Sequence, residues 1–509
     1  MNLTNIDSVL ELMILVNGNF VALGYVLNLF CSYQVSEVFL STHHGSLLFM
    51  AGNVFGDHMR KDMLSKSSNG KDKVFKKDLL QQSWVQQTYL YLKWRTGIVL
   101  FCTIVILLSA FKLYNLCARH NAEVFITPTS TAQHTTSETS YAIMLDAGST
   151  GSRIHVYKFF WEDRSGTPIL KEELFEQVKP GLSSYANEPT EGAASIERLL
   201  QIAQDRIPSE VWGNTPLALK ATAGLRLLPK EQSKGLLNEV QNLFNEYPFQ
   251  LPSNPVSIMD GVDEGAFGWT SVNYLLDHFY GSNQFSVGTI DLGGGSMQIT
   301  FAPHLRDTID NSLPENINTV SIFGNQMVLY TRSYLGLGLM SAREAVLHQS
   351  GTSYPVTTAC TPPGYTFEWT NGDNTYTIEG MEDANGERYE WCYQSTQKMI
   401  LDKISSPPEI KHYPFYVFSY FFDRAVEMNM VDEEEGGILT VAQYIDAAHL
   451  ACSDDSFNNE KPFMCMDMCL IVTFLRNGFG FDTDTQLITK SKIANKETSW
   501  ALGASFSLL

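Results

Sequence analysis

Positive charge is scarce in this chain of 509 residues: 35 Lys and Arg stand against 55 Asp and Glu, a formal net charge of -20. The deficit is uneven. Residues 1–137 carry 11 Lys and Arg against 8 Asp and Glu, which leaves the remainder near -23. A field of that sign repels nucleic acid, and no basic groove offsets it in the acidic remainder, so nucleic acid is not expected as a partner. Any polyanionic ligand needs local donors and a divalent cation. No Asn-x-Ser/Thr sequon follows residue 117, and no cysteine spacing matches a zinc site.

Long apolar runs are few and lie toward the N-terminus. Thr96–Phe111 carries no charge, and the run continues past Lys112 to Cys117, near the ~20 residues a bilayer needs. Between Gly56 and Arg95 lie nine Lys and Arg against four Asp. That asymmetry predicts a cytoplasmic region 1–95, a transmembrane helix 96–117 and everything beyond it lumenal, a type II arrangement. The interrupted apolar stretch 9–33 reads as a second span, an interfacial segment or an N-terminal extension. A Ser/Thr-rich stem, 118–139, leads into a large domain, 140–509.

Five cysteines follow the span: Cys360, Cys392, Cys452, Cys465 and Cys469. The most local pairing is Cys360–Cys392 and Cys452–Cys465 with Cys469 left over, in keeping with an oxidising compartment; five free thiols are the alternative.

From Tyr141 onward, strand-like runs alternate with amphipathic helical ones, an α/β pattern. Strands are predicted at Tyr141–Asp146, Ile154–Phe160, Leu217–Ala221 and Val287–Asp291. Helices are predicted at Gly192–Arg206, Ser233–Asn245, Glu264–Phe279 and Phe415–Met428. Two segments look like copies of one device. Ile143–Tyr157 and Gly288–Phe301 each bring a β-prone run to an Asp (Asp146, Asp291). A Gly follows two residues later, and then a turn of small residues. Such glycines let backbone N–H groups approach anionic oxygens while the Asp holds a hydrated cation. Between the copies, Leu219–Pro229 presents Thr222 and Arg226, and Ser257–Gly265 places Glu264 at a helix start, where a carboxylate can deprotonate water.

These four segments, with Trp500–Ala504 as a fifth, resemble the apyrase conserved regions of the ecto-nucleoside triphosphate diphosphohydrolase family. The resemblance covers about residues 139–509 and is strongest toward the secretory-pathway types 5 and 6. It implies an α/β, actin-like (ASKHA) pair of RNase-H-fold lobes with the active site in the interlobe cleft. Lobe I would hold about 140–262 plus 490–509, and lobe II about 263–489. It further implies Ca2+ or Mg2+ held through waters by Asp146, Asp291 and Thr222. Phosphate would meet Ser149, Thr150, Gly151, Ser152 and Arg153 on one side and Gly293, Gly294 and Gly295 on the other. Glu264 would be the base, with Ser296 and Gln298 positioning water, and Tyr420 and Asp423 would contact the nucleobase. The expected activity is hydrolysis of the terminal phosphate of nucleoside diphosphates, GDP and UDP first, and of triphosphates, in a Golgi-type membrane. The alternatives are a nucleotide-binding protein without turnover and an actin-like sugar kinase. One departure from the pattern, Met297 where relatives carry Thr, predicts a lost hydroxyl contact and a lower rate.

Overall fold

The computed structural model describes residues 138–509, apart from 163–165, 280–285, 350–354, 373, 383–385, 401–402, 408 and 454–459. The expectations for the cytoplasmic region, the stretch 9–33, the span 96–117 and nearly all of the stem fall outside these residues. Among the described residues no helix is long and apolar enough to cross a membrane.

Two mixed sheets are built on the same five-strand plan. The first contains β1 (Glu138–Ala147), β2 (Ser152–Trp161), β3 (Ile169–Val178), β4 (Leu217–Ala221) and β5 (Val256–Ile258). Its order is β3-β2-β1-β4-β5, with the β1/β2 and β2/β3 pairs antiparallel and β1/β4 and β4/β5 parallel. The second contains β6 (Gly288–Leu292), β7 (Ser296–Phe301), β8 (Ile317–Ile322) and β9 (Asn325–Leu335). After a small sheet of β10 (Val356–Thr358), β11 (Thr366–Asn371) and β12 (Asn374–Gly380), it resumes with β13 (Phe415–Ser419), β14 (Gly437–Thr440) and β15 (Gln486–Thr489). The order β14-β15-β13-β6-β7-β9-β8 contains the first sheet's plan as β9-β7-β6-β13-β15, with the same parallel and antiparallel pairs. An edge strand is added on each side.

Each sheet buries both faces. Ile143, Leu145, Ile154 and Val156 pack under helices α1 (Pro189–Arg206) and α2 (Lys230–Phe244). Their neighbours Met144, Tyr157 and Phe159 face Trp500, Leu502 and Ala504 near the C-terminus. In the second sheet Ile290, Leu292, Met297, Ile299 and Phe301 join the largest core. The opposite face receives helix α3 (Gly261–Leu275), through Trp269 and Val272. The second lobe also holds α4 (Leu339–Gln349), α5 (Arg388–Ile400), α6 (Tyr420–Glu427) and α7 (Val441–Ser453). Helix α8 (Met464–Thr473) packs among them, and α9 (Trp500–Ser505) lies near the C-terminus. Helices α3 and α9 touch each other between the lobes. A Cβ on Gly503 would lie 2.2 Å from the Phe267 carbonyl oxygen, so only glycine allows this approach. The Gly503 N–H donates to Ser271 Oγ at 2.8 Å.

The sequence-based helix over Phe415–Met428 is corrected: Phe415–Ser419 is a central strand, and the helix starts at Tyr420. Its apolar run faces core on both sides, Phe415 and Val417 one way and Tyr416 and Phe418 the other, so periodicity could not separate strand from helix. Cys360–Cys392 and Cys452–Cys465 are disulfide-bonded, and Cys469 is a buried free thiol. The sulfurs of Cys392, Cys465 and Cys469 lie within 4.8 Å of one another, but two of them are in bridges and offer no thiolate to a metal.

Candidate active site

The two hairpins β1–β2 and β6–β7 can be superposed position by position. Each turn spans four residues and closes with one bond, Gly148 N–H to Gly151 O at 3.1 Å and Gly293 N–H to Ser296 O at 3.0 Å. Asp146 pairs across its hairpin with Arg153, and Asp291 with Gln298. Position for position, an arginine in the first lobe is a glutamine in the second. Arg153 Nη1 donates to Asp146 Oδ2 at 3.2 Å. Gln298 Nε2 instead donates to Ser296 Oγ at 2.8 Å and to Ser333 Oγ at 3.0 Å.

Strand alternation decides which of the expected residues reach the cleft. Ser149, Thr150, Arg153, Gly293, Gly294, Gly295 and Ser296 line a cavity of about 650 Å3 together with Asp146, Thr222, Glu264 and Asp291. Ser152 is a correction. It is fully buried, and it shares a strand face with Ile154 and Val156, which pack under the helices. Gly151 is likewise not part of the cavity wall, so its share in the turn is the carbonyl that closes it. Met297 occupies the position equivalent to Ser152. Its side chain lies in the core of the second lobe, opposite the face that carries Ser296 and Gln298. The hydroxyl contact expected to be missing at 297 therefore has no counterpart in the cleft.

The loops meet in the middle. A Cβ on Gly294 would fall 2.3 Å from Ser149 Oγ and 2.9 Å from Thr150 Cγ2. Behind Gly293 and Gly294, the first turn of α4 bonds back to them. Leu339 N–H donates to Gly293 O at 2.8 Å, and Met340 N–H to Gly294 O at 2.9 Å. Gly338 allows this approach, because a Cβ there would overlap the backbone nitrogens of Gly295 and Ser296.

Glu264 sits in the first turn of α3, whose N-cap Asp260 accepts the Val262 N–H at 2.8 Å. Its carboxylate is buried, and Arg226 Nη2 donates to Oε2, so the other oxygen is the one available to a water. Burial pushes the Glu264 carboxyl up to about 8; Arg226 opposes the shift, while the charges of Asp291 and Asp146 add to it. Burial likewise raises Asp291 to about 6, against a hydrogen bond from Ser419 and with repulsion from Asp146. Asp146 is raised by burial, with Arg153 opposing. Three carboxyl groups thus share one region, where the charges of Asp291 and Asp146 disfavour ionisation of Glu264 and that of Asp146 disfavours ionisation of Asp291. Asp146 Oδ1 and Asp291 Oδ1 are also buried without a hydrogen-bond partner. Orphaned oxygens on two mutually repelling carboxylates fit a divalent cation and its water shell. Buried Thr222 lines the same region, with its N–H donating to Ala147 O at 3.2 Å.

A second arm of the cavity runs along α6. Tyr420, Asp423, Arg424 and Glu427 stand at i, i+3, i+4 and i+7 on its cleft face. The Arg424 guanidinium lies 5.6 Å from the centre of the Tyr420 ring. Asp423 is exposed at the mouth, with Arg153 and Lys179 of the first lobe as its cationic neighbours across the cleft.

Several site residues went unread in the sequence. Ser419, at the end of β13, adopts φ 57 and ψ -129, a conformation rare for non-glycine residues, and its hydroxyl serves Asp291. Ser333 reaches Gln298 from β9 only because the sheet order sets β7 beside β9. Arg424 and Glu427 were within reach of sequence reasoning, since they continue the helical spacing of Tyr420 and Asp423. No local signal marks Ser333 or Ser419.

Comparison with known proteins agrees with this geometry. A family model described as the GDA1/CD39 (nucleoside phosphatase) family matches residues 132–509. "Nucleoside diphosphate phosphatase ENTPD5" of Homo sapiens is 43% identical over 376 residues, covering 73% of this chain and 88% of that protein. "Ectonucleoside triphosphate diphosphohydrolase 6" of Mus musculus is 41% identical over 395 residues, 76% of this chain and 86% of its own. Among solved structures, a nucleoside triphosphate hydrolase of Neospora caninum aligns with a TM-score of 0.53 at 13% identity. That alignment covers 72% of this chain and 92% of its own, a likeness of fold.

Proposed function

This chain belongs to the GDA1/CD39 (nucleoside phosphatase) family, in its type 5/6 branch, and from that premise we propose that it hydrolyses the terminal phosphate of nucleoside diphosphates with a divalent cation. The observation that carries the reading is the convergence of buried Glu264 and Asp146 and part-buried Asp291 on one cavity between two matched glycine turns. Asp146, Asp291 and Thr222 would hold Ca2+ or Mg2+ through its waters, and the cation would offset the charge of the phosphates. Arg153, Ser149, Thr150 and the turn N–H groups of both lobes grip the phosphoryl oxygens. Ser296, fixed by Gln298, orients a water on the second-lobe side. Glu264 takes that water's proton as its oxygen attacks the terminal phosphorus, and the bridging P–O bond breaks in line.

The arm along α6 is the place for the nucleoside. Tyr420 offers a stacking face and Asp423 a carboxylate acceptor. Guanine and uracil present a ring N–H to such an acceptor, whereas adenine and cytosine present a lone pair at the matching edge. That chemistry favours GDP and UDP over ADP and CDP. The two disulfides and the sequence signals ahead of residue 138 support a membrane-anchored enzyme of the secretory pathway, Golgi-type, which would clear the nucleotide product of glycosyl transfer. The reading as a binder without turnover rested on Met297, whose side chain points away from the cleft.

The test is phosphate release from GDP, UDP, ADP, CDP and the triphosphates with Ca2+ or Mg2+, run beside Glu264→Ala. Release from the diphosphates, abolished by the substitution while nucleotide still binds, is the expected result. Undiminished release by Glu264→Ala would remove Glu264 as the base.

A further inference from the structure

Asp467 lies outside the cleft, fully buried on α8 between the disulfide cysteine Cys465 and the free Cys469. Its carboxylate is shared by two guanidinium groups. Oδ1 accepts from Arg343 Nε at 2.6 Å, and Oδ2 accepts from Arg343 Nη2 at 2.5 Å and from Arg424 Nη1 at 3.0 Å. Arg424 turns its other nitrogen, Nη2, to Glu427 Oε1 at 3.0 Å. Lys461 adds a third cation, its Nζ 4.0 Å from Glu427 Oε2, while Arg424 spends one terminal nitrogen on Asp467 and the other on Glu427.

The two arginines come from different parts of the site. Arg343 is on α4, whose first turn bonds to the carbonyls of Gly293 and Gly294, the second phosphate loop. Arg424 is on α6 and carries its guanidinium beside Tyr420, in the arm assigned above to the nucleoside. One carboxylate therefore joins the element behind the phosphate loop to the element that faces the base. We infer that Asp467 is a positioning residue for nucleotide discrimination: by clamping Arg343 and Arg424 together it fixes the distance between phosphate loop and base face. Base contacts are then felt at the phosphorus only while that bridge is intact. This rests on the proposed nucleotide phosphohydrolase reading.

The experiment compares Asp467→Asn and Arg424→Lys with the unsubstituted protein on GDP, UDP, ADP and CDP, measuring kcat, KM and dissociation constants. Lysine keeps the charge at 424 but cannot reach both carboxylates, and it tests the bridge even if the buried Asp467→Asn change prevents folding. The ratio of kcat/KM between the best and poorest nucleotide should shrink at least fivefold in each variant, with the change in KM exceeding that in kcat. The double variant should lose little beyond either single one. If all four nucleotides fall by one common factor, with the ratios intact, Asp467 is a structural residue only and the inference is overturned. If the unsubstituted protein releases no phosphate, the hydrolase reading fails by itself. The same ratios taken from dissociation constants then decide the role of Asp467.

Discussion

At position 297, where the resemblance implies a threonine, the methionine side chain sits in the core of the second lobe beside Leu292 and Tyr334. Introducing the threonine should not raise activity. Met297→Thr removes apolar volume and buries a hydroxyl, so it should cost about 2–4 kcal/mol of stability. The measurement is a denaturant melt beside kcat on GDP; a gain in kcat would show that position 297 serves the cleft after all. Glu264 is the opposite case, a side chain whose chemistry outweighs its packing. Glu264→Gln keeps the shape and the Arg226 contact but cannot take a proton, and kcat should fall about 10²–10⁴-fold with KM little changed. Cys469 is buried among the disulfides with its thiol pushed up by burial and by Glu390. A thiol-reactive probe should leave it unmodified until the protein is unfolded, and rapid labelling of native protein would refute this.

At the scale of elements, the paired hairpins were legible because a strand, an Asp and a glycine turn are local in sequence. Legibility ended where contacts depend on sheet order. Ser333 meets Gln298 across β7 and β9, Asp467 meets Arg424 across 43 residues, and neither pair leaves a local mark. Phe415–Ser419 failed for a different reason: a central strand buried on both faces has no alternation to show. The face of a residue within a hairpin was the third limit. Ser152 follows the small residues of the first glycine turn, yet its place on β2 beside Ile154 and Val156 sets its side chain toward the helices. The α3–α9 contact gives an element-scale prediction. Gly503→Ala places a methyl group against the Phe267 carbonyl and should destabilise by about 1–3 kcal/mol, read as a lower melting temperature. An unchanged melting temperature would mean that the two helices are not in close contact.

For the molecule as a whole, the crowded carboxyls link metal, protons and stability. With Glu264 raised to about 8 and Asp291 to about 6, the metal-free folded protein keeps protons that the unfolded chain has already released. Its stability from these groups is therefore lost as pH rises through about 5 to 8. A divalent cation held by these carboxyls would offset the repulsion that grows over this range. The melting temperature gained on adding Ca2+ or Mg2+ should be larger at about pH 8 than at about pH 5.5, and Glu264→Gln should narrow the difference. Equal metal-induced shifts at both pH values would contradict the assignment of these carboxyls to the cation.

The exchange of Arg153 for Gln298 at matched positions gives the duplicated frame a handedness in its chemistry. One half carries a guanidinium that, in the proposed mechanism, would face the phosphoryl oxygens, and the other carries a neutral amide bonded to Ser296. On that proposal water would be delivered from one half only, with the departing nucleotide on the far side of the phosphorus. A single displacement of that kind inverts configuration. A chiral, isotope-labelled thiophosphoryl substrate should yield the inverted product, and retention would require a covalent intermediate.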